Sequence, residues 1–191
     1  MRPTSSPQPD RHPLSTPGFG LVPEARAWSI TPMEKPYFRP PGGGNEETFL
    51  KKCIHCGQCA QVCPYGSISL FPGGDPIQNG TPRIVPSDVP CYLCMRCPPV
   101  CPSGALDDVP IEKADMGFAI LHKDECYTYQ GTIICRTCFE KCPLRNSALI
   151  LVKGQLPVIT EACVGCGVCE YVCPKKAIST VPARQLLHSE K

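Results

Sequence analysis

The stretch Cys53-Ile54-His55-Cys56-Gly57-Gln58-Cys59-Ala60-Gln61-Val62-Cys63-Pro64 sets the pattern for the whole chain. Its cysteines are spaced by two, two and three residues, and a proline closes the run. The same rhythm returns at Cys91, Cys94, Cys97 and Cys101 before Pro102, and at Cys163, Cys166, Cys169 and Cys173 before Pro174. A fourth set, third in chain order, comprises Cys126, Cys135, Cys138 and Cys142 before Pro143; eight residues separate its first two cysteines. Successive groups begin 38, 35 and 37 residues apart, which makes an internal repeat the organising fact of the sequence.

C-x2-C-x2-C-x3-C-P is the ligand run of a bacterial ferredoxin. Three cysteines at two-residue intervals let one tight loop reach three irons of a cuboidal cluster, with backbone N–H groups turned toward the sulfurs. The fourth cysteine starts a new direction and, in two-cluster ferredoxins, ligates the other cluster. Sixteen ligands therefore predict four [4Fe–4S] clusters, all sixteen cysteines serving both as cofactor-binding residues and as metal ligands. A disulfide scaffold would suit the number of cysteines but gives no reason for the repeated spacing. Structural zinc favours two C-x2-C pairs far apart rather than three cysteines in a row. A [3Fe–4S] centre would need a missing ligand, and every position is filled.

The rest of the composition agrees. The chain has 191 residues, among them 16 Cys and 24 Pro but only 6 Tyr, 6 Phe and 1 Trp. Little is left for a large core, so metal bonds are expected to hold the fold. The formal charge of +2 argues against a nucleic-acid binder. Thiolate ligation around four cores of roughly +2 each would bring the holo chain to about −6, favouring basic docking surfaces on its partners. No run of 18 apolar residues occurs, so no transmembrane helix is expected. The Gly42–Gly44 run does not follow a strand as a dinucleotide loop would.

The predicted architecture is α+β: two bacterial-ferredoxin-like 2[4Fe–4S] modules with short hairpins and short helices, irregular and stabilised by cofactors. Residues 1–44 read as an extended or disordered Pro-rich tail on which Trp28, Tyr37 and Phe38 are candidates for docking on the body. Ferredoxin-type units follow at 45–75, 82–112, 117–153 and 154–183, with a polar tail at 184–191. Asn45 is a helix N-cap, with Glu46 and Glu47 in the first turn, Lys51 and Lys52 in the last, and Phe49 and Leu50 inward. Ile68–Phe71, Ala119–His122 and Ala177–Val181 are candidate strands, and 148–152 with 156–160 reads as a hairpin. Weaker candidates are His55 as a sulfur hydrogen-bond donor or an exposed loop residue, Tyr65 and Tyr171 as cluster shields or core filling, and Lys51, Lys52, Lys175 and Lys176 as docking charges or solvated faces.

The cysteine groups, together with Phe38-Arg39-Pro40-Pro41-Gly42, Cys101-Pro102-Ser103-Gly104-Ala105-Leu106, Met116-Gly117 and the long third-group gap containing Gln130-Gly131, resemble the NapG/MauM-type ferredoxin subunits over about 39–181. That resemblance implies an electron-transfer subunit, the ferredoxin component of a quinol dehydrogenase. It would relay electrons from a membrane quinol-oxidising partner to a reductase or other acceptor on the periplasmic side. Two departures stand out: the family usually has C-x2-C-x4-C in the second group, and usually begins with a twin-arginine signal that this sequence does not show. The alternative is a soluble cytoplasmic polyferredoxin subunit of another oxidoreductase complex. No flavin, nicotinamide, molybdenum or radical motif is visible, so substrate chemistry is assigned to partners.

Spacing alone leaves two pairings of the groups open. Adjacent pairing joins one with two and three with four; nested pairing joins one with four and two with three. By analogy with other four-cluster respiratory subunits the nested arrangement is expected, with Cys63 beside Cys163, Cys166 and Cys169 and the four clusters in a line.

Overall fold

Helix α1, Glu46–Lys52, begins where the sequence places it. The Asn45 side chain accepts from the N–H groups of Glu47 and Thr48 at 2.9 and 3.2 Å, Glu47 pairs with Lys51, and Phe49 is buried. This computed structural model describes residues 36–73 and 76–183. Trp28 and the terminal segments 1–35 and 184–191 lie outside the described residues.

Three more helices are single turns set inside cysteine groups: α2 Gln58–Val62, α3 Thr137–Lys141 and α4 Val168–Val172. Helices this short do not persist alone. Group two has a 3-10 turn at Pro98–Val100 instead, because Pro98 and Pro99 supply no backbone N–H for an α-helical turn.

The strands form three separate antiparallel pairs. β1 (Ile68–Leu70) pairs with β2 (Pro82–Ile84), and β4 (Leu149–Val152) with β5 (Leu156–Ile159). β3 (Gly117–Leu121) pairs with the distant β6 (Ile178–Pro182). Lys153 and Gly154 turn the β4–β5 hairpin, both at positive φ, the conformation a tight hairpin turn demands. The predicted strands are present; sequence gave no sign that β3 and β6 pair with each other. No helix among the described residues is long and apolar enough to cross a membrane.

Tyr37 and Phe38 do dock, and the segment around them goes further into the body than a tail would. Phe38 exchanges two 2.8 Å backbone hydrogen bonds with Ile84, adding to the open edge of β2. Phe38, Pro40 and Pro41 are fully buried and Arg39 nearly so. Two thin apolar clusters result: one gathers Phe38, Phe49, Ile68 and Ile84, the other Ala119, Leu149 and Ile178, and cysteines belong to both.

Candidate functional site

The turn between the first and third cysteine of a regular group uses one backbone device. The residue on either side of the second cysteine is left-handed: His55 and Gly57 in group one, Leu93 and Met95 in group two, Gly165 and Gly167 in group four. Left-handed residues let successive N–H groups face a common concavity, a nest suited to anions. Side-chain-bearing residues in this region are disfavoured by roughly 1–2 kcal/mol each, so the sequence accepts strain at His55, Leu93 and Met95 to keep the turn. Group three builds its wider loop differently. Thr128 Oγ1 donates to Cys135 O at 3.0 Å and accepts from Cys135 N–H at 2.9 Å, while Tyr129 Oη donates to Pro157 O at 3.1 Å. Those two hydrogen bonds from Thr128 close the eight-residue gap, and the Tyr129 contact fastens the loop to β5.

Four hollows result, each rimmed by four cysteines. Cys53, Cys56, Cys59 and Cys101 surround the first. Cys63, Cys91, Cys94 and Cys97 surround the second. Cys126, Cys135, Cys138 and Cys173 surround the third. Cys142, Cys163, Cys166 and Cys169 surround the fourth. Their volumes, mouths included, are similar, from ≈ 320 to ≈ 380 Å³.

The geometry corrects the nested expectation. Cys63 stands with Cys91, Cys94 and Cys97, not with group four, and Cys142 stands with group four, not with group two. Pairing is adjacent, and the hairpins are the reason. The β1–β2 pair turns the chain back on itself, and Ser67 Oγ donates to Pro90 O at 2.7 Å, so Cys91 returns beside Cys63. The β4–β5 hairpin, with Thr160 N–H on Ala148 O at 3.0 Å, returns Cys163 to Cys142 in the same way. Between groups two and three lies β3, which finds its partner beyond group four rather than folding back.

Electrostatics separates the cysteines into two kinds. Burial pushes the thiols of Cys59, Cys91 and Cys138 up to about 11, and those of Cys97 and Cys166 up to about 12. Cys169 is raised as well, again mainly by burial. Cys63 and Cys101 go the other way. Burial is the largest single influence on each and raises it, but hydrogen bonds together outweigh that influence. For Cys63 they come from Ser67, Tyr65 and Ile68, and for Cys101 from Leu106, Ser103 and Ala105. Cys63 and Cys101, which cross between groups one and two, thus arrive among donors that favour their thiolates, whereas Cys142, which crosses between groups three and four, is raised, mainly by burial. Sulfur also receives N–H groups at Cys91 from Leu93 (3.4 Å) and at Cys173 from Ala177 (3.3 Å).

The hollows follow one another in space. Cys59 of the first lies in one core cluster with Cys91 and Cys97 of the second; Cys91 N–H donates to Cys166 O of the fourth at 3.0 Å; Cys169 of the fourth and Cys138 of the third lie together in the other cluster. The spatial order is one, two, four, three, a series obtained with adjacent rather than nested pairing.

A single metal ion would draw thiolates in to about 2.3 Å. Among the described residues no three His, Cys, Asp or Glu side chains close on one point in that way; the quartets instead stand around apolar-walled hollows. A group several atoms across, liganded only by thiolates and receiving N–H donors on its sulfurs, fits such a space, and a [4Fe–4S] cubane has those properties.

Of the weaker candidates, His55 is exposed. Tyr65 lies at the rim of the second hollow, its ring 4.5 Å from that of Tyr92, while Tyr171 is exposed. Lys175 lines the third hollow and sits 5.1 Å above the Tyr127 ring; Lys51 pairs with Glu47. Ser67, Ser103 and Thr128 shape the surroundings of the cysteines in a way the cysteine spacing does not mark. A hydroxyl two to four residues beyond a cysteine, as at Ser67 and Ser103, is the only signal for them.

Comparison with known proteins agrees with this chemistry. A 4Fe-4S dicluster domain matches residues 52–105, a second 4Fe-4S dicluster model matches 24–67, and a 4Fe-4S binding domain matches 156–179. The repeated cysteine groups and these matches define a ferredoxin-type iron–sulfur electron-transfer protein that binds [4Fe–4S] clusters. The methylamine utilization ferredoxin-type protein MauM of Paracoccus denitrificans is 43% identical over 169 residues, spanning 82% of this chain and 74% of that protein. The ferredoxin-type protein NapG of Escherichia coli is 39% identical over 162 residues, spanning 75% and 70%. The chain belongs to the MauM/NapG family of ferredoxin-type proteins.

Proposed function

We propose that the chain holds four [4Fe–4S] clusters, one per hollow, and passes electrons along the order one, two, four, three. The observation that supports this most directly is the shared make-up of the hollows. Each combines three cysteines of one group with the fourth of its neighbour, as two-cluster ferredoxins do. On this reading 45–112 and 117–183 are two dicluster modules, and all sixteen cysteines are ligands. The protein's own work is to hold the clusters in series, donate hydrogen bonds to the sulfurs and limit water at the fourth hollow, where Cys166 and Cys169 are buried.

The ends of the series are the natural places for exchange. Near the first hollow Cys56 is exposed and Ile54 is 64% exposed; near the third, Ile133 and Ile134 are 55% and 60% exposed. Neighbouring exposed apolar side chains beside a site mark a surface that a partner protein can cover. Likeness to MauM and NapG supports a periplasmic-side subunit that takes electrons from a membrane quinol-oxidising partner and gives them to a downstream acceptor.

Anaerobic purification should give about 16 Fe and 16 sulfide per chain, and potentiometric EPR should resolve four one-electron centres. Zinc at about one atom per group without acid-labile sulfide would defeat the reading. Fractionation of cells making the protein from its native gene tests the compartment, and recovery in the cytosol would overturn it.

A further inference from the structure

We propose that Arg39 sets the reduction potential of the cluster in the first hollow, acting as a buried cation behind its wall. The inference rests on the reading that Cys53, Cys56, Cys59 and Cys101 hold a cluster. The Arg39 side chain is only 6% exposed. Its guanidinium carbon lies 4.6 Å from the centroid of the Phe49 ring, and its Nη1 donates to Pro82 O at 2.7 Å. Phe49 and Pro82 both line the first hollow. One layer of wall therefore separates the charge from the cysteines.

The surroundings hold the charge in place without cancelling it. Nη1 also donates to Thr81 Oγ1 at 2.9 Å, and Nε and Nη2 donate to the two carboxylate oxygens of Glu46 at 2.9 and 2.5 Å. Glu46 is the more exposed partner, at 23%, so solvent screens its charge more than that of Arg39. Tyr37 and Phe71 complete the cage, with ring centroids 5.3 and 5.4 Å from the guanidinium carbon. Arg83 lies against Phe71 at 4.5 Å, and Phe71 is not among the wall residues of the hollow. Lys51 sits in an exposed pair with Glu47, where water weakens its reach. Arg39 is thus the cation best placed to act through a low dielectric.

Reduction adds one electron, supplied by the chemical reductant of a titration, and so one negative charge to the cluster; no bond forms and no proton need move. A buried cation behind the wall of the hollow stabilises the reduced form. Arg39→Gln should lower the midpoint of the first-hollow centre by roughly a tenfold change in its reduction equilibrium, which is about 59 mV for one electron. Glu46→Gln should raise it, because the guanidinium stays anchored on Thr81 and Pro82 with its counter-charge removed. Arg39→Lys should hold it near the starting value.

The test is anaerobic potentiometric EPR on the full holoprotein, with iron and sulfide measured on every variant. Cys56→Ser is used first to identify which signal belongs to the first hollow. Opposite shifts of that signal in Arg39→Gln and Glu46→Gln, with the other centres unmoved, support the inference. A role in packing alone would move both variants the same way or leave both potentials unchanged, and either result overturns it. Should Arg39→Gln not fold, Glu46→Gln and Arg39→Lys still decide the sign. If Cys56→Ser perturbs no centre, the site reading itself has failed, a result distinct from an identified centre that fails to move.

Discussion

The loops of groups one and four share a plan, Cys-x-x-Cys-Gly-x-Cys, and share a backbone, yet one is open and the other enclosed. Cys56 is exposed; its counterpart Cys166 is buried, as is Val164 where group one has the exposed Ile54. The cause lies outside the repeat. The group-four loop is stitched to the rest of the body by Cys91 N–H on Cys166 O and Met116 N–H on Val164 O, both at 3.0 Å. A local cysteine code therefore fixes the turn but not its exposure; the segments that meet the loop from elsewhere in the chain fix that. The same contrast explains the glycines. Group four needs Gly165, whose absent Cβ would fall 2.4 Å from the Gly117 carbonyl carbon, while group one carries His55 at the equivalent place.

The largest test of the contrast is iron removal. With thin apolar clusters that include the cysteines themselves, the chain should lose its cooperative thermal transition when iron is stripped, together with its visible absorption. Under mild anaerobic chelation the centre at Cys56 should disappear before that at Cys166, followed by EPR. Simultaneous loss would show that the exposure difference has no kinetic consequence. A stable, protease-resistant apo protein would remove metal from its place in the fold.

The glycine after the second cysteine gives a matched pair. At Gly167 a Cβ would meet Pro86 Cβ at 2.3 Å, while at Gly57 its nearest neighbour would be Leu70 Cδ1 at an ordinary 3.7 Å. Gly167→Ala should destabilise the holoprotein by about 3 kcal/mol, left-handed strain plus overpacking, and Gly57→Ala by about 1 kcal/mol, strain alone. Thermal unfolding of both would check the difference, and equal losses would mean that the group-four loop yields as easily as its exposed twin.

Much of this was legible beforehand, and what was not has a physical reason. The cysteine groups, the repeat, the Asn45 cap and the 148–160 hairpin depend on residues close in sequence, where spacing carries the information. Pairing of the groups depends on whether the intervening chain doubles back. The hairpin at 148–160 held that answer for groups three and four, since a chain that reverses must return Cys163 toward Cys142. The stretch between Phe71 and Thr81 gave a weaker signal for the other pair. Arg39 was visible only as part of a Pro-rich string, because its partners Thr81 and Pro82 lie some forty residues downstream.

Two smaller effects sharpen the picture. His55→Gly should relieve left-handed strain in the open loop and stabilise the protein by about 0.5 kcal/mol, the gain being limited by glycine's own entropy. A loss there would show that His55 holds the loop through contacts beyond its backbone. Asn45→Ala should cost about 1 kcal/mol by uncapping α1, measured in the same thermal assay.

The ladder between β3 and β6 has a consequence for biogenesis. Cysteines of both the first and second hollows have all been synthesised once Cys101 has. The third hollow must wait for Cys173, and β3 waits for β6 at Ile178–Pro182. Order of synthesis and order in space therefore differ: the cysteine sets of the first and second hollows are complete at Cys101, that of the fourth at Cys169 and that of the third at Cys173, while the core around the first two still takes in Val164, Cys166 and Val168.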